Sequence, residues 1–255
     1  MNILLAEDNP VNQEVAVGLL EKLDCIVTLA ENGVEAVNAA RDGDFNLLLM
    51  DYQMPVMDGL DATRAIRQAE ADDRRLPIVA LTANNSEGVR AQCLAAGMDD
   101  FLGKPFSYND LQTLLQRWCP GLDPAPQAEP AATVERGASS LDLAPIEILS
   151  TLDPDGERNL VQRAITKFMD YSEELMIRFA DAVGQGDAAE VSRIAHSFKS
   201  SSANLGATAL AQHCADIEKL AADGRMPDDI DEKLLALQTA HRAAKESLLL
   251  LIEGE

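Results

Sequence analysis

Basic side chains are scarce in this 255-residue sequence, with 21 Lys and Arg against 43 Asp and Glu and a formal net charge of −22. The deficit runs through both halves. Neither half offers the positive face that contact with a phosphate backbone requires, so direct nucleic-acid binding is not expected. Aromatic residues make up only 4% of the chain, which suits helix-rich packing through Leu and Ala better than an all-β sandwich. The four cysteines, Cys25, Cys93, Cys119 and Cys214, are scattered without CxxC or metal-ligand spacing, and they read as buried thiols in a reducing compartment. No apolar run approaches the roughly 20 residues needed to cross a bilayer. Leu4-Leu5-Ala6 is followed at once by Glu7-Asp8, too soon for the apolar core of a signal peptide. The expectation is a soluble, cytoplasmic protein. Glycine-rich nucleotide loops are missing as well: there is neither GxGxxG nor a P-loop, so ATP-dependent kinase chemistry is not expected from this chain itself.

Two contrasting patterns divide what is present. Up to residue 118, short β-rich runs at 3–6, 26–30, 46–50, 78–82 and 101–102 alternate with amphipathic stretches at 12–23, 34–40, 60–68, 88–96 and 109–118. Strict βα alternation implies an α/β fold, a doubly wound five-stranded parallel sheet with helices on both faces. Residues 119–142 lose periodicity, and Pro120, Pro124, Pro126 and Pro130 fall among Ala, Gly, Ser and Gln. This segment reads as a Pro/Ala-rich linker, spanning roughly 25–30 Å r.m.s. if flexible. From 143 to 255, four long amphipathic stretches (157–183, 188–205, 207–222 and 229–251) predict an all-α antiparallel four-helix bundle.

Ligands of such sheets sit beyond the carboxyl ends of the strands, and polar residues converge there. The first strand ends in Glu7-Asp8, the third in Asp51 and the fourth in Thr82, and the fifth is followed by Lys104-Pro105. Neighbouring carboxylates repel, and a hard divalent cation such as Mg²⁺ relieves them. Lys104 can place a positive charge on a phosphoryl oxygen, and the Thr82 hydroxyl can donate to another. The set suits phosphoryl transfer, which depends mainly on positioning and neutralising charge. Any one of these residues alone reads more simply as a helix cap or a solvated loop.

Glu7-Asp8-Asn9, Met50-Asp51-Tyr52-Gln53-Met54-Pro55 with Asp58-Gly59, Leu81-Thr82-Ala83 and Gly103-Lys104-Pro105-Phe106 resemble the response-regulator receiver family over residues 1–118. The resemblance implies a flavodoxin-like receiver in which Asp51 is the phosphoacceptor. It further implies that Asp8 binds Mg²⁺ directly and Glu7 mainly through water, with the backbone carbonyl of Gln53 completing the protein ligands. Thr82 and Phe101 would form the switch pair, and Lys104 would contact the phosphoryl group.

In the bundle, residues 188–205 carry His196-Ser197-Phe198-Lys199-Ser200. At about 100° per residue, Val191, Ile194, Ala195, Phe198, Ser202 and Leu205 share one face, and His196 lies roughly 150° from its centre. The ring is expected to project into water, with Lys199 as its i+3 neighbour and the small Ser200 at i+4. An exposed neutral imidazole can attack an acyl phosphate, and Lys199 could steady its oxygens. The bland alternative is an idle surface histidine. His213 and His241 border apolar stripes and read as structural.

The run from His196 through Lys199, Asn204 and Leu205 to Gly206 resembles the histidine phosphotransfer domain over about 143–252, departing from it at Ser200, where many members carry glycine. Together the two resemblances imply a phosphorelay: an upstream histidine kinase as donor, then Asp51, then His196, then the aspartate of a downstream receiver. They also imply that the chain is a phosphotransfer module, with kinase activity only as part of a longer hybrid kinase. Met1 could be a natural start or a cut end. Three competing readings stay open at this point: a kinase in its own right, a flavin-binding α/β protein, and an interaction scaffold with a regulated receiver surface.

Overall fold

The computed structural model describes residues 1–70, 75–83, 86–118, 141–153, 156, 159–222 and 224–253. The chain divides into two compact units, each described by itself. From Asn2 to Trp118, strand and helix alternate: β1 Asn2–Ala6, α1 Pro10–Lys22, β2 Ile26–Ala30, α2 Gly33–Asp42, β3 Leu47–Asp51, α3 Gly59–Ala69, β4 Ile78–Thr82, α4 Glu87–Ala96, β5 Asp100–Gly103 and α5 Tyr108–Trp118. The strands pair in parallel in the order β2-β1-β3-β4-β5.

The sequences of β3 and β4 explain their central places. Leu47-Leu48-Leu49-Met50 and Ile78-Val79-Ala80-Leu81 are unbroken apolar runs and are buried at every position, as strands covered on both faces must be. Register sets Leu4 opposite Leu48 and Leu48 opposite Ile78. These side chains pack on one face against Ala36 of α2, Ala62 and Ile66 of α3, and Cys93 of α4. The alternate residues Ile3, Leu5, Leu47, Leu49, Val79 and Leu81 are equally buried, on the face where right-handed crossovers place α1 and α5. Asn32 and Asp58 cap α2 and α3 by accepting from the amides of Glu35 and Asp61. Because the chain runs from β1 outward to β2 and then back to β3, the loops after β1 and β3 part and leave a crevice between them.

The helical unit holds α6 Ala144–Leu152, α7 Leu160–Gln185, α8 Ala188–Asn204, α9 Thr208–Ala221 and α10 Ile230–Glu253. Helices α7 to α10 pack in succession, and α10 returns against α7, the arrangement expected of an up-and-down bundle with short connections. Gly186, at φ +70, stops α7, and Asp187 caps α8 through the amide of Glu190. Phe168, Phe179, Phe198, Leu175, Val191 and Ile217 fill the core.

Helix α6 is an addition to the four expected helices. Its inward residues Ile146, Leu149 and Leu152 are spaced i, i+3, i+6, but they occupy little more than two turns, too short a stretch for periodicity to stand out. Leu141 is buried, and the Asp142 amide donates to the Gly206 carbonyl at 2.8 Å, so the unit takes in two residues assigned above to the linker. Linker positions 119–140 and the anticipated helix start at 157 lie outside the described residues. Among the described residues, no helix is long and apolar enough to cross a membrane.

Candidate functional site

The crevice at the ends of β1 and β3 collects the carboxylates. Glu7, Asp8 and Asp51 each offer an oxygen within 4.8 Å of the others, with Glu7 and Asp51 buried and Asp8 half-buried. Three negative charges so close would repel strongly in a poorly solvated pocket. Lys104, delivered by the loop after β5, offsets part of this. Its Nζ lies 2.5 Å from Glu7 Oε2 and 2.8 Å from Asp51 Oδ2. Burial alone would drive the Lys104 amine toward neutrality, but the carboxylates of Asp51 and Glu7 outweigh it and hold the ammonium well above its ordinary range. Glu7, expected mainly to act through water, is the most buried of the acids (1% exposed).

Backbone contacts fix this geometry. The Lys104 amide donates to the Thr82 carbonyl at 2.7 Å, and the Tyr52 amide donates to that of Leu81 at 3.0 Å. Thr82 ends β4, the strand paired with β3, one residue after the register partner of Asp51, and is buried. The Gln53 amide points at Asp51 Oδ1 from 3.5 Å. Gly59 shows why the Asp58-Gly59 pair is there: a Cβ on residue 59 would sit 2.1 Å from the Asp51 carbonyl oxygen. Only glycine lets α3 start this close to the end of β3.

Phe101, half-buried on β5, carries the Arg90 guanidinium over its ring at 3.9 Å from the centroid. The Tyr52 hydroxyl donates to Gln92 Oε1 at 2.7 Å. Helix α4 is thus joined both to β5 and to the residue after Asp51. Nothing in the sequence marks Arg90 or Gln92, since exposed polar positions on a helix carry no sign of what lies across from them.

In the helical unit, the burial of the α8 stripe follows the helical wheel, but His196 departs from it. The ring is part-buried rather than free in water, and its Nδ1 lies 2.6 Å from Glu218 Oε1. The other carboxylate oxygen of Glu218 accepts from Lys199 Nζ at 2.5 Å. Rotation about α8 alone leaves out α9, which packs alongside and raises Glu218 between the two side chains. Burial pushes the Glu218 carboxyl up, but hydrogen bonds and charge from His196 and Lys199 prevail and hold it below the ordinary carboxylate range. His241 is a core residue, as expected: its Nε2 meets Ser172 Oγ at 2.8 Å, and its ring stands edge-on to Phe198.

The comparisons agree with this division. The response regulator receiver domain model matches residues 3–116, and the Hpt domain model matches 163–247. The signal transduction histidine-protein kinase BarA of Escherichia coli strain K12 is 30% identical over 241 residues, covering 93% of this chain and 26% of that protein. Sensor protein GacS of Pseudomonas syringae pv. syringae is 38% identical over 184 residues, 64% of this chain and 20% of its own length. The chain thus spans about a quarter or less of the length of these relatives. Among solved structures, the receiver domain of a sensor histidine kinase from Pseudomonas aeruginosa PAO1, with a magnesium ion in its active-site cleft, is 51% identical at a TM-score of 0.43. It covers 46% of this chain and 95% of that one. Residues 3–116 are a response regulator receiver domain and residues 163–247 an Hpt domain, and the chain that joins them belongs to the two-component phosphorelay proteins.

Proposed function

We propose that the chain receives a phosphoryl group on Asp51 from a phosphohistidine of an upstream histidine kinase and passes it through His196 to the aspartate of a downstream receiver. The observation that carries this reading is the Lys104 ammonium lying between Glu7 and Asp51, in a basin where Asp8 offers a third carboxylate oxygen. The donor set is all oxygen and strongly anionic, which fits Mg²⁺. Glu7, Asp8, Asp51 and the Gln53 carbonyl would hold the ion, which when bound neutralises charge on the phosphoryl oxygens.

The protein groups divide the remaining work. An Asp51 carboxylate oxygen attacks phosphorus as the donor's N–P bond breaks, and the electron pair of that bond returns to the donor imidazole. Lys104 then balances charge on one phosphoryl oxygen, and Thr82 donates its hydroxyl to another. Thr82 and Phe101 act as the switch pair that reports the new charge to the α4–β5 surface. On the helical unit, His196 is the nucleophile, and Lys199 steadies the incoming oxygens. Among the described residues, Cys25, Cys93 and Cys214 are buried and none of the three forms a disulfide, which supports a reducing, cytoplasmic setting.

The test is labelling of the full chain by acetyl phosphate with and without Mg²⁺. Wild type should carry a Mg²⁺-dependent acyl phosphate on Asp51 and an acid-labile phosphohistidine at 196. Asp51→Asn should abolish both, whereas His196→Gln should retain the first and lose the second. Modification found elsewhere, with Asp51 and His196 untouched, would refute the proposal.

A further inference from the structure

The helical unit has a second concave face, away from His196. Helices α7 and α10 leave a groove of about 530 Å³, walled by Met176, Ile177, Arg242, Glu246 and Leu249 and floored by His241. Helix α8 packs on α9, and α10 returns against α7. The groove therefore lies across the bundle from the α8–α9 pair that carries His196 and Glu218. His241 closes it from beneath, with Nε2 held by Ser172 Oγ at 2.8 Å. The apolar walls are open to water: Ile177 is 64% exposed and Leu249 37%.

The charges along the groove fall into two sets. Lys245 and Glu173 form an ion pair that ties α10 to α7. Arg242 and Glu246 are exposed, and neither has an ion-pair or hydrogen-bond partner among the described residues. They stand four residues apart on α10, on one side of the helix. A ligand of either charge would satisfy one of them and repel the other. A surface that carries both signs at this spacing is complementary to itself.

We infer that the groove seats a second copy of this chain, in a dimer whose two-fold axis crosses α10 midway between Arg242 and Glu246. Such an axis sets the two α10 helices antiparallel. Arg242 then meets Glu246 of the second copy, and Glu246 meets Arg242 of the second copy. The same axis covers the exposed apolar groups. Helices α7 and α10 run antiparallel, as the first and last of four helices joined in succession by short turns must. From the Glu173–Lys245 bridge, Ile177 lies one turn along α7 and Leu249 one turn along α10, toward opposite ends of the groove. The two-fold rotation carries Leu249 of each copy onto Ile177 of the other. Apolar contacts thus flank two charge contacts. The net charge of −22 on each copy opposes association at low salt. At 0.15 M ionic strength, repulsion between charges more than about 8 Å apart is largely screened, whereas the close Arg242–Glu246 contacts are screened much less. Both His196 rings face outward in this dimer and stay open to a phosphoryl partner.

Sedimentation equilibrium of the full chain tests this in about 0.15 M NaCl, from about 1 µM to about 1 mM, the range in which weak specific pairs form. Wild type should pass from monomer to dimer. Leu249→Asp should stay monomeric, with an unchanged circular dichroism spectrum. Arg242→Glu and Glu246→Arg should each weaken the dimer at least about 10-fold, because each acts twice across the axis and turns attraction into repulsion. The decisive sample is an equimolar mixture of these two variants. It sets acids on one copy against bases on the other, so it should dimerise at concentrations where neither variant does alone. A wild-type chain that remains monomeric throughout would overturn the inference. So would a dimer that survives Leu249→Asp, or a mixture no more associated than its components.

Discussion

The guanidinium of Arg90 covers the ring of Phe101 at 3.9 Å from its centroid, so the aromatic half of the proposed switch pair is held by a cation on α4. Such a contact contributes about 0.5–1 kcal/mol at a partly exposed site, small enough to be broken by phosphorylation. Arg90→Ala should therefore release the ring in the unphosphorylated protein. With ¹⁹F-labelled phenylalanine, the Phe101 resonance of the variant should move toward the position that wild type reaches on acetyl phosphate treatment. Thr82→Ala should abolish the phosphorylation-induced movement. An Arg90→Ala resonance identical to that of unphosphorylated wild type would show that the stacking does not bias the switch.

Much of the receiver half was legible because its signals are local. Apolar runs such as Leu47-Leu48-Leu49-Met50 admit few readings between turn residues, and alternation with helices dictates a parallel sheet. The convergence of Glu7, Asp8, Asp51 and Lys104 follows once strand ends are aligned. The missed features are those in which two elements meet. Helix α6 gains stability from packing on α7 and α8 rather than from its own short pattern. The Glu218 contact depends on α9 lying beside α8, which no periodicity within either helix reveals. The same holds for Arg90 and Gln92 on α4. Element type is written along the chain, whereas partner choice at a half-exposed position is decided across it.

Lys104 offers a direct test of the anionic basin. Removing one partner of a buried ion pair costs about 3–5 kcal/mol, because the other charge is left uncompensated. Lys104→Met leaves Glu7 and Asp51 facing each other without their cation. The variant should unfold at lower urea than wild type in EDTA, and millimolar Mg²⁺ should recover more stability in the variant than in wild type. Phosphorylation of Asp51 should nonetheless stay impaired, since neither the ion nor water supplies the Lys104 contact. Equal Mg²⁺ effects on the two proteins would contradict the proposed shared basin.

Two glycines mark places where the backbone admits no side chain. A Cβ on Gly206 would meet the Asp142 carbonyl oxygen at 1.8 Å, and its φ of +72 adds strain for any other residue. Gly206→Ala should displace the segment that leads into α6, and hydrogen exchange at the Asp142 amide should accelerate while that in the middle of α7 stays protected. Gly59→Ala would push on the Asp51 carbonyl instead, so its main effect should be slower Asp51 labelling. A Gly206→Ala chain with unchanged exchange at Asp142 would refute the first expectation.

His241 makes the stability of the helical unit depend on pH. Burial holds its imidazole below the ordinary value of 6.5, Glu173 draws it back up in part, and Lys245 pushes it down. Nε2 meets the Ser172 hydroxyl, and the ring edge meets Phe198, so a second proton would be poorly solvated there. The unfolded chain therefore binds the proton more readily than the folded one below about pH 6.5. The stabilisation is fully present above that value and is lost as pH falls toward the depressed folded value, at no more than about 1.4 kcal/mol per pH unit for one group. Urea midpoints of the full chain between pH 8 and pH 5.5 should fall for wild type. His241→Gln, which keeps a polar partner for Ser172 but cannot titrate, should start less stable and fall less steeply. Identical slopes would show that His241 takes no part in the pH response and would place it in other groups.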